Sequence, residues 1–361
     1  MWLAVVLLGG VLVSLAMVAS RGGAARHPLI VASMPYWNIA HGTSAVLGHA
    51  RAVNEVSPWM YGLSASGRID TQYPASQAAA VSADIQRLRG AGQRVVPTIA
   101  NITGGRWAYQ PVARMLHSPA LMARHVAAIV ALVQRHHYAG IDIDYEDLRA
   151  GDRLVFSGFI AQLAHALHAR GKVLSVAVFA KTSNAGTDQR NLAQDYAAIG
   201  RAADQVRLMA YDYHWATSPP GPVAPVGWVR QVLHYAKTQI PAAKIVLGVP
   251  LYGYDWAGGH GTGISWLQAL RLSRQYHVRP EYDARSQAPW FRYTGPGGRK
   301  HTVWFENAAS SRAKFDLARG AGIGGVYLWM YGYEDAATWA GLHQALPTSG
   351  PHALAAARAV P

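Results

Sequence analysis

Cysteine is absent from this 361-residue chain. That excludes a disulfide framework, a thiolate nucleophile and any cysteine-ligated metal. It does not fix the compartment, because a large core needs no disulfides. Acids are also scarce: 19 Asp and Glu stand against 33 Lys and Arg, a formal net charge of +14. No dense Lys/Arg run, zinc-ligand spacing or nucleic-acid module accompanies the charge, so nucleic acid is not an expected partner. An anionic membrane, an acidic wall polymer and plain solubilising charge all fit it. No Gly-x-Gly-x-x-Gly turn follows the first strand-like run, which counts against a dinucleotide fold. Internal repeats are missing as well.

What is present reads as globular: 51% hydrophobic residues, 36 Gly, 19 Pro and only 14% charged residues. The length suits one large domain or two modest ones. Residues Met1–Ser20 carry no charged side chain and Arg21 is the first. Residues 1–26 are therefore expected to be a signal peptide or a membrane anchor, with small-residue cleavage options at Val18-Ala19-Ser20 and Ala24-Ala25. The expected location is extracytoplasmic, secreted or membrane-anchored at the cell wall. An Ala/Pro-rich tail, 347–361, is expected to be disordered.

Strand-like apolar runs recur between these ends, at 29–34, 53–61, 94–100, 140–146, 173–179, 205–211, 244–251 and 324–329. Amphipathic stretches at 77–89, 119–136, 154–170 and 228–239 separate some of them. Apolar strands alternating with helices imply a parallel sheet with covered faces, and this number of units predicts a (β/α)8 TIM barrel over 27–346. One interval breaks the rhythm. From about 254 to 303 the chain is rich in Gly and aromatics, and it predicts a small α+β insertion after the seventh strand, with a helix near 265–276 and a hairpin pairing 290–294 with 301–305.

The most informative segment is Ala139-Gly-Ile-Asp-Ile-Asp-Tyr-Glu146. As a strand it puts Asp142, Asp144 and Glu146 on one face and Ile141, Ile143 and Tyr145 on the other. Carboxylates in a buried row repel each other, so folding alone does not favour them. An acid/base site explains the row; a bound cation or arginines inside a barrel core explain it too. Glu146 ends the fourth run, and barrel chemistry sits at the C-terminal ends of strands.

Gly140–Glu146 resembles the Asp-x-x-Asp-x-Asp-x-Glu signature of glycoside hydrolase family 18, the chitinase-like hydrolases. Met209-Ala210-Tyr211-Asp212 and Gly324-Gly325-Val326-Tyr327-Leu328-Trp329 are similar to two further segments of that family. His214–Pro222 with Lys244–Trp256 resembles its spore-cortex and peptidoglycan N-acetylglucosaminidase branch. The likeness runs from about Pro28 to Leu346. Two departures stand out: Ala139 replaces the first signature Asp, and no lysin-motif repeat is present.

The resemblance implies a retaining hydrolase that uses the substrate's own 2-acetamido oxygen as nucleophile, an exception to the two-carboxylate scheme. It assigns Glu146 as acid and base, Asp144 as partner of the acetamido N–H, Asp142 as proton-sharing neighbour, and Tyr211 as donor to the acetamido carbonyl. Trp329 is expected under the sugar, with Met209 and Asp212 shaping the site; Tyr36 and Asn101 are further candidates at the active face. Core packing is the competing reading for these aromatics. Tyr254, Trp256 and His214 are placed near the groove, and His136-His137 on the surface. No metal and no cofactor are expected. The expected partner is an N-acetylglucosamine-containing polysaccharide of peptidoglycan or spore cortex, with chitin or non-catalytic sugar binding as alternatives.

Overall fold

A computed structural model describes residues 27–347; the expected leader and nearly all of the expected tail lie outside them. Eight parallel strands close into a barrel: Leu29–Pro35, Glu55–Leu63, Thr98–Ala100, Gly140–Asp144, Val173–Phe179, Gln205–Met209, Ile245–Pro250 and Gly325–Trp329. The first strand pairs with both the second and the eighth, so the ring has no open edge. Outward side chains such as Ile141, Ile143, Val176 and Leu208 are wholly buried against the surrounding helices. This is why the strands read as near-continuous apolar runs.

Helix Pro119–Arg135 has a sequence reason to start and to face inward. Pro119 takes the first turn and the Ser118 hydroxyl accepts the Leu121 N–H. Both are N-terminal signals. Met122, Val126, Ile129, Val130 and Val133 form its buried stripe. Helices Ala78–Gly90, Arg153–His168 and Val226–Gln239 follow the other amphipathic stretches.

Most strand boundaries shift from expectation by a residue or two, and three differences bear on the site. The run at 94–100 splits into Arg94–Val95 and Thr98–Ala100, because Pro97 has no N–H for the ladder. The fourth strand stops at Asp144, so Glu146 stands just beyond it. The sixth stops at Met209, which leaves Tyr211 in the following loop. The insertion spans slightly more than expected. Its five-stranded antiparallel sheet runs from Tyr252–Ala257 to Lys300–Trp304 and carries helix Trp266–Gln275. The hairpin register pairs Trp290 with Trp304 and Thr294 with Lys300. Ile264, Phe291, Tyr293, Val303 and Phe305 give the insertion its own core.

Inside the barrel the two halves differ in character. Val31, Ala177, Met209, Val246 and Tyr327 form an apolar cluster. Arg207, 1% exposed, occupies the polar part: it contacts Glu55 at 2.9 Å, the Ser57 hydroxyl at 2.6 Å and Asp142 at 3.2 Å. Gln205 adds a 3.0 Å bond to Glu55. Removing the cation leaves Asp142 buried without an ion-pair partner and Glu55 with only the longer 3.5 Å pair to Arg94. Arg207→Met is therefore expected to lower unfolding free energy by about 3–5 kcal/mol, read from urea denaturation. A loss under about 1 kcal/mol would contradict this account of the interior.

Candidate active site

The period of the fourth strand sends Asp142 and Asp144 into the barrel and Tyr145 out of it, next to the helices. The Tyr145 hydroxyl meets His125 Nε2 at 2.6 Å, and its ring stacks on Phe159 at 5.9 Å. Burial holds the His125 pKa down at about 4, so a neutral imidazole supports this bond. With residue 145 pinned outward, Glu146 turns toward the mouth. Its backbone N–H donates to Asn101 Oδ1 at 2.8 Å. Asn101 in turn donates its own N–H to the Asp144 carbonyl at 3.3 Å. The Asn101 side chain thus replaces the ladder partner lost where the strand ends.

The three acids meet different surroundings. Asp142 accepts from Thr98 Oγ1 at 2.9 Å and lies against Arg207. Asp144 is 6% exposed and accepts the Trp59 indole N–H at 2.9 Å. Burial pushes its pKa up to about 7, reinforced by the Asp142 charge and opposed by Trp59 and Arg207. Glu146 is half-buried at the cavity wall, and burial followed by the Asp144 charge raises its pKa well above the ordinary carboxylate range. The two upper groups therefore titrate as a pair. Tyr211 and Tyr327 face each other with hydroxyls 2.9 Å apart, and burial keeps both protonated.

These groups line one cavity of about 230 Å³, together with Trp59, Trp107 and Trp329. A larger cavity of about 740 Å³ lies outside the barrel, between the Ile69–Thr71 strand and helix Pro119–Arg135, and contains none of the acids. The fold thus brings together Asp142, Asp144, Glu146, Met209, Tyr211, Asp212 and Trp329. Asp212, with φ of 52°, accepts hydroxyl bonds from Tyr252 at 2.7 Å and Tyr254 at 3.1 Å. It also borders an adjoining cavity of about 350 Å³ that shares Trp329.

Two expected contacts fall elsewhere. Asn101 is fully buried and does not line the cavity; it positions Glu146 from behind. Tyr36 also lies outside the lining: it packs on the barrel core and edge-on against Trp37, whose half-exposed ring in turn meets Trp59 edge-on. Trp256 is buried, with its indole N–H on the Trp215 carbonyl. His214 fixes its own loop through the Pro219 carbonyl. His136 and His137 are exposed. Sequence reasoning missed Trp59, Arg207 and Tyr327. The same two-residue period carries them, in Glu55-x-Ser57-x-Trp59, Gln205-x-Arg207-x-Met209 and Gly325-x-Tyr327-x-Trp329. Ala139 lies three positions, about 10 Å, before Asp142 along the strand; its backbone bonds Val95 and Val173.

The family model "Glycosyl hydrolases family 18" matches residues 65–334. The chain is 37% identical over 283 residues to a putative sporulation-specific glycosylase of Bacillus subtilis, covering 76% of this chain and 65% of that protein. It is 37% identical over 231 residues to the cortical fragment-lytic enzyme of the same organism, covering 62% and 54%. The chain thus spans under two-thirds of the length of each of these relatives. Among solved structures, a chitinase from Chromobacterium violaceum superposes with a TM-score of 0.82 at 33% identity, covering 89% of this chain and 99% of that one.

The raised Asp144 pKa has a consequence for stability. The folded state keeps a proton that the unfolded chain releases near pH 4, so stability falls as pH rises from there to about 7. Asp144→Asn removes this contribution. The variant is expected to gain on the wild type across that window in urea denaturation, and to match it near pH 4; a constant difference would show that Asp144 titrates normally.

Proposed function

The chain belongs to glycosyl hydrolases family 18, and on that premise we propose that it hydrolyses β-1,4 linkages beside N-acetylglucosamine in peptidoglycan or spore cortex, outside the cytoplasm. The observation that carries this reading is the Asp144–Glu146 pair. Two carboxyl groups with raised pKa values stand at the end of one strand, beside a tyrosine hydroxyl and a tryptophan floor. A group that must give up a proton near neutral pH needs such an environment.

Glu146 protonates the glycosidic oxygen as the C1–O bond breaks. The substrate's acetamido oxygen bonds C1 on the opposite side, giving an oxazolinium ion. Asp144, whose Oδ1 is buried without a partner, accepts the acetamido N–H and stabilises the positive charge that develops there. Tyr211 donates to the acetamido carbonyl and holds it in line. Glu146, now ionised, takes a proton from water, which attacks C1 and restores the amide with retained configuration. The Asp142 charge helps to raise the Asp144 pKa from below, and Arg207 holds Asp142 in place.

A chitinase reading is favoured by the similarity to the Chromobacterium violaceum chitinase. A sugar-binding barrel without chemistry fits less well, because it has no use for Glu146, Asp144 and Tyr211 together. Incubation with purified peptidoglycan, spore cortex and chitin oligomers, followed by mass analysis of fragments and their reducing ends, separates the substrates. Release from chitin alone would overturn the wall assignment.

Glu146→Gln is expected to lower turnover at least ~100-fold while binding persists; unchanged turnover would remove Glu146 from the reaction. A glycoside lacking the 2-acetamido group is expected to be nearly inert, and its rapid hydrolysis would contradict substrate assistance.

A further inference from the structure

Helices of a (β/α)8 barrel run antiparallel to its strands, so they end on the face opposite the mouth. In this chain those ends are basic. Arg89, Arg135, Arg201, Lys237 and Arg319 stand in the last turns of five of the ring helices. Arg170, Lys172 and Lys244 lie in the turns that lead on into strands. Part of this charge serves the helices themselves: Arg170 donates to the Ala166 carbonyl, Lys172 to Tyr138, Lys237 to Ala321 and Lys244 to Gly200. Cations there complement the helix dipole.

The dipole does not explain how few acids share that end. Glu55 is buried inside the barrel, and Asp204 pairs with His168. Asp84 and Asp316, farther up their helices, pair with Arg87 and Arg319. Glu146, Asp147, Asp152, Asp188, Asp195 and Asp212 all follow strands at the mouth. The acids of the barrel are therefore gathered toward the catalytic end, where Arg153 and Arg190 pair with Asp195 and Asp188, while the opposite end is basic. Arg135, Arg170 and Arg201 are exposed and in no ion pair among the described residues.

The chain enters through this same basic face: the Pro28 carbonyl accepts from Asn54 Nδ2 at 3.0 Å, and the Leu29 N–H donates to Gly324 at 2.9 Å. Upstream, the uncharged run Met1–Ser20 is separated from it only by residues 21–27, which reach at most about 25 Å when extended. A hydrophobic segment next to a basic surface is the combination that holds proteins on anionic membranes. We propose that the N-terminal end of the barrel is a docking face for anionic phospholipid headgroups, with the catalytic mouth pointing away from the membrane.

The test is co-sedimentation of the full chain with vesicles of phosphatidylcholine alone and of phosphatidylcholine with one-third phosphatidylglycerol. Because both vesicle types accept the apolar leader equally, the readout is the ratio of the two affinities. That ratio is expected to exceed about 100-fold at low salt and to fall as salt rises. Arg135→Gln/Arg170→Gln/Arg201→Gln is expected to cut anionic-vesicle affinity by about 100-fold, at roughly fivefold per charge, with thermal midpoint and turnover unchanged. Arg274→Gln/Arg279→Gln/Arg292→Gln, on the insertion, is expected to leave it intact. Equal affinity of the wild type for both vesicles, or equal losses in the two variants, would overturn the proposal. So would tighter binding of soluble poly(glycerol phosphate) through the same three arginines, which assigns the face to a wall polymer.

Discussion

Arg207 contacts the lowest of three stacked acids and makes no ion pair with the upper two, although its charge partly offsets the rise at Asp144. Its guanidinium spans Glu55, Ser57 and Asp142 within the barrel, so charge compensation is spent one level below the chemistry. Asp144 has an indole N–H in place of a cation, and Glu146 feels mainly burial and its acidic neighbour. A second cation at the upper level would make ordinary ion pairs and ordinary pKa values. The protein keeps protons at the mouth by placing its buried cation deep. The arginine-satisfied reading of the acid row describes its lowest rung, and the proposed acid/base site occupies the upper two.

The surrounding elements hold that ladder in aim. Tyr145 is locked outward by His125 and Phe159, and Asn101 grips the Glu146 backbone where the strand pairing runs out. Positions 145 and 146 are thereby fixed from two directions with no regular ladder left to do it. On the far wall, Asp212 adopts a left-handed backbone and ties the barrel loop to Tyr252 and Tyr254 of the insertion. The insertion thus shapes the cleft beside the acids while keeping an apolar core of its own.

Much of this was legible because the signals are local. Apolar runs spaced by amphipathic stretches announce a parallel barrel, and the two-residue period of Asp142 and Asp144 announces an inward row. Strand ends were misjudged by one or two residues at Asp144 and Met209, because pairing stops when a side-chain amide or a loop takes over the N–H. Tyr36 and Asn101 were placed by proximity to strand ends, a cue that does not say which way a side chain points. Arg207 and Trp59 escaped notice although they obey the same period as the acids. Their partners are 150 and 85 residues away, and no local pattern records such a meeting. The polarity of the whole barrel likewise emerges only once the helices are seen to end on one face.

The account rests on Glu146 holding its proton because its own carboxyl is buried and, second, because Asp144 stands beside it. The direct measurement is a site-resolved 13C titration of the Glu146 side-chain carboxyl, in the wild type and in Asp144→Asn. The expected result is a midpoint well above the ordinary value of about 4.3 that moves down when the neighbouring charge is removed. A midpoint at the ordinary value, or one indifferent to Asp144, would contradict it.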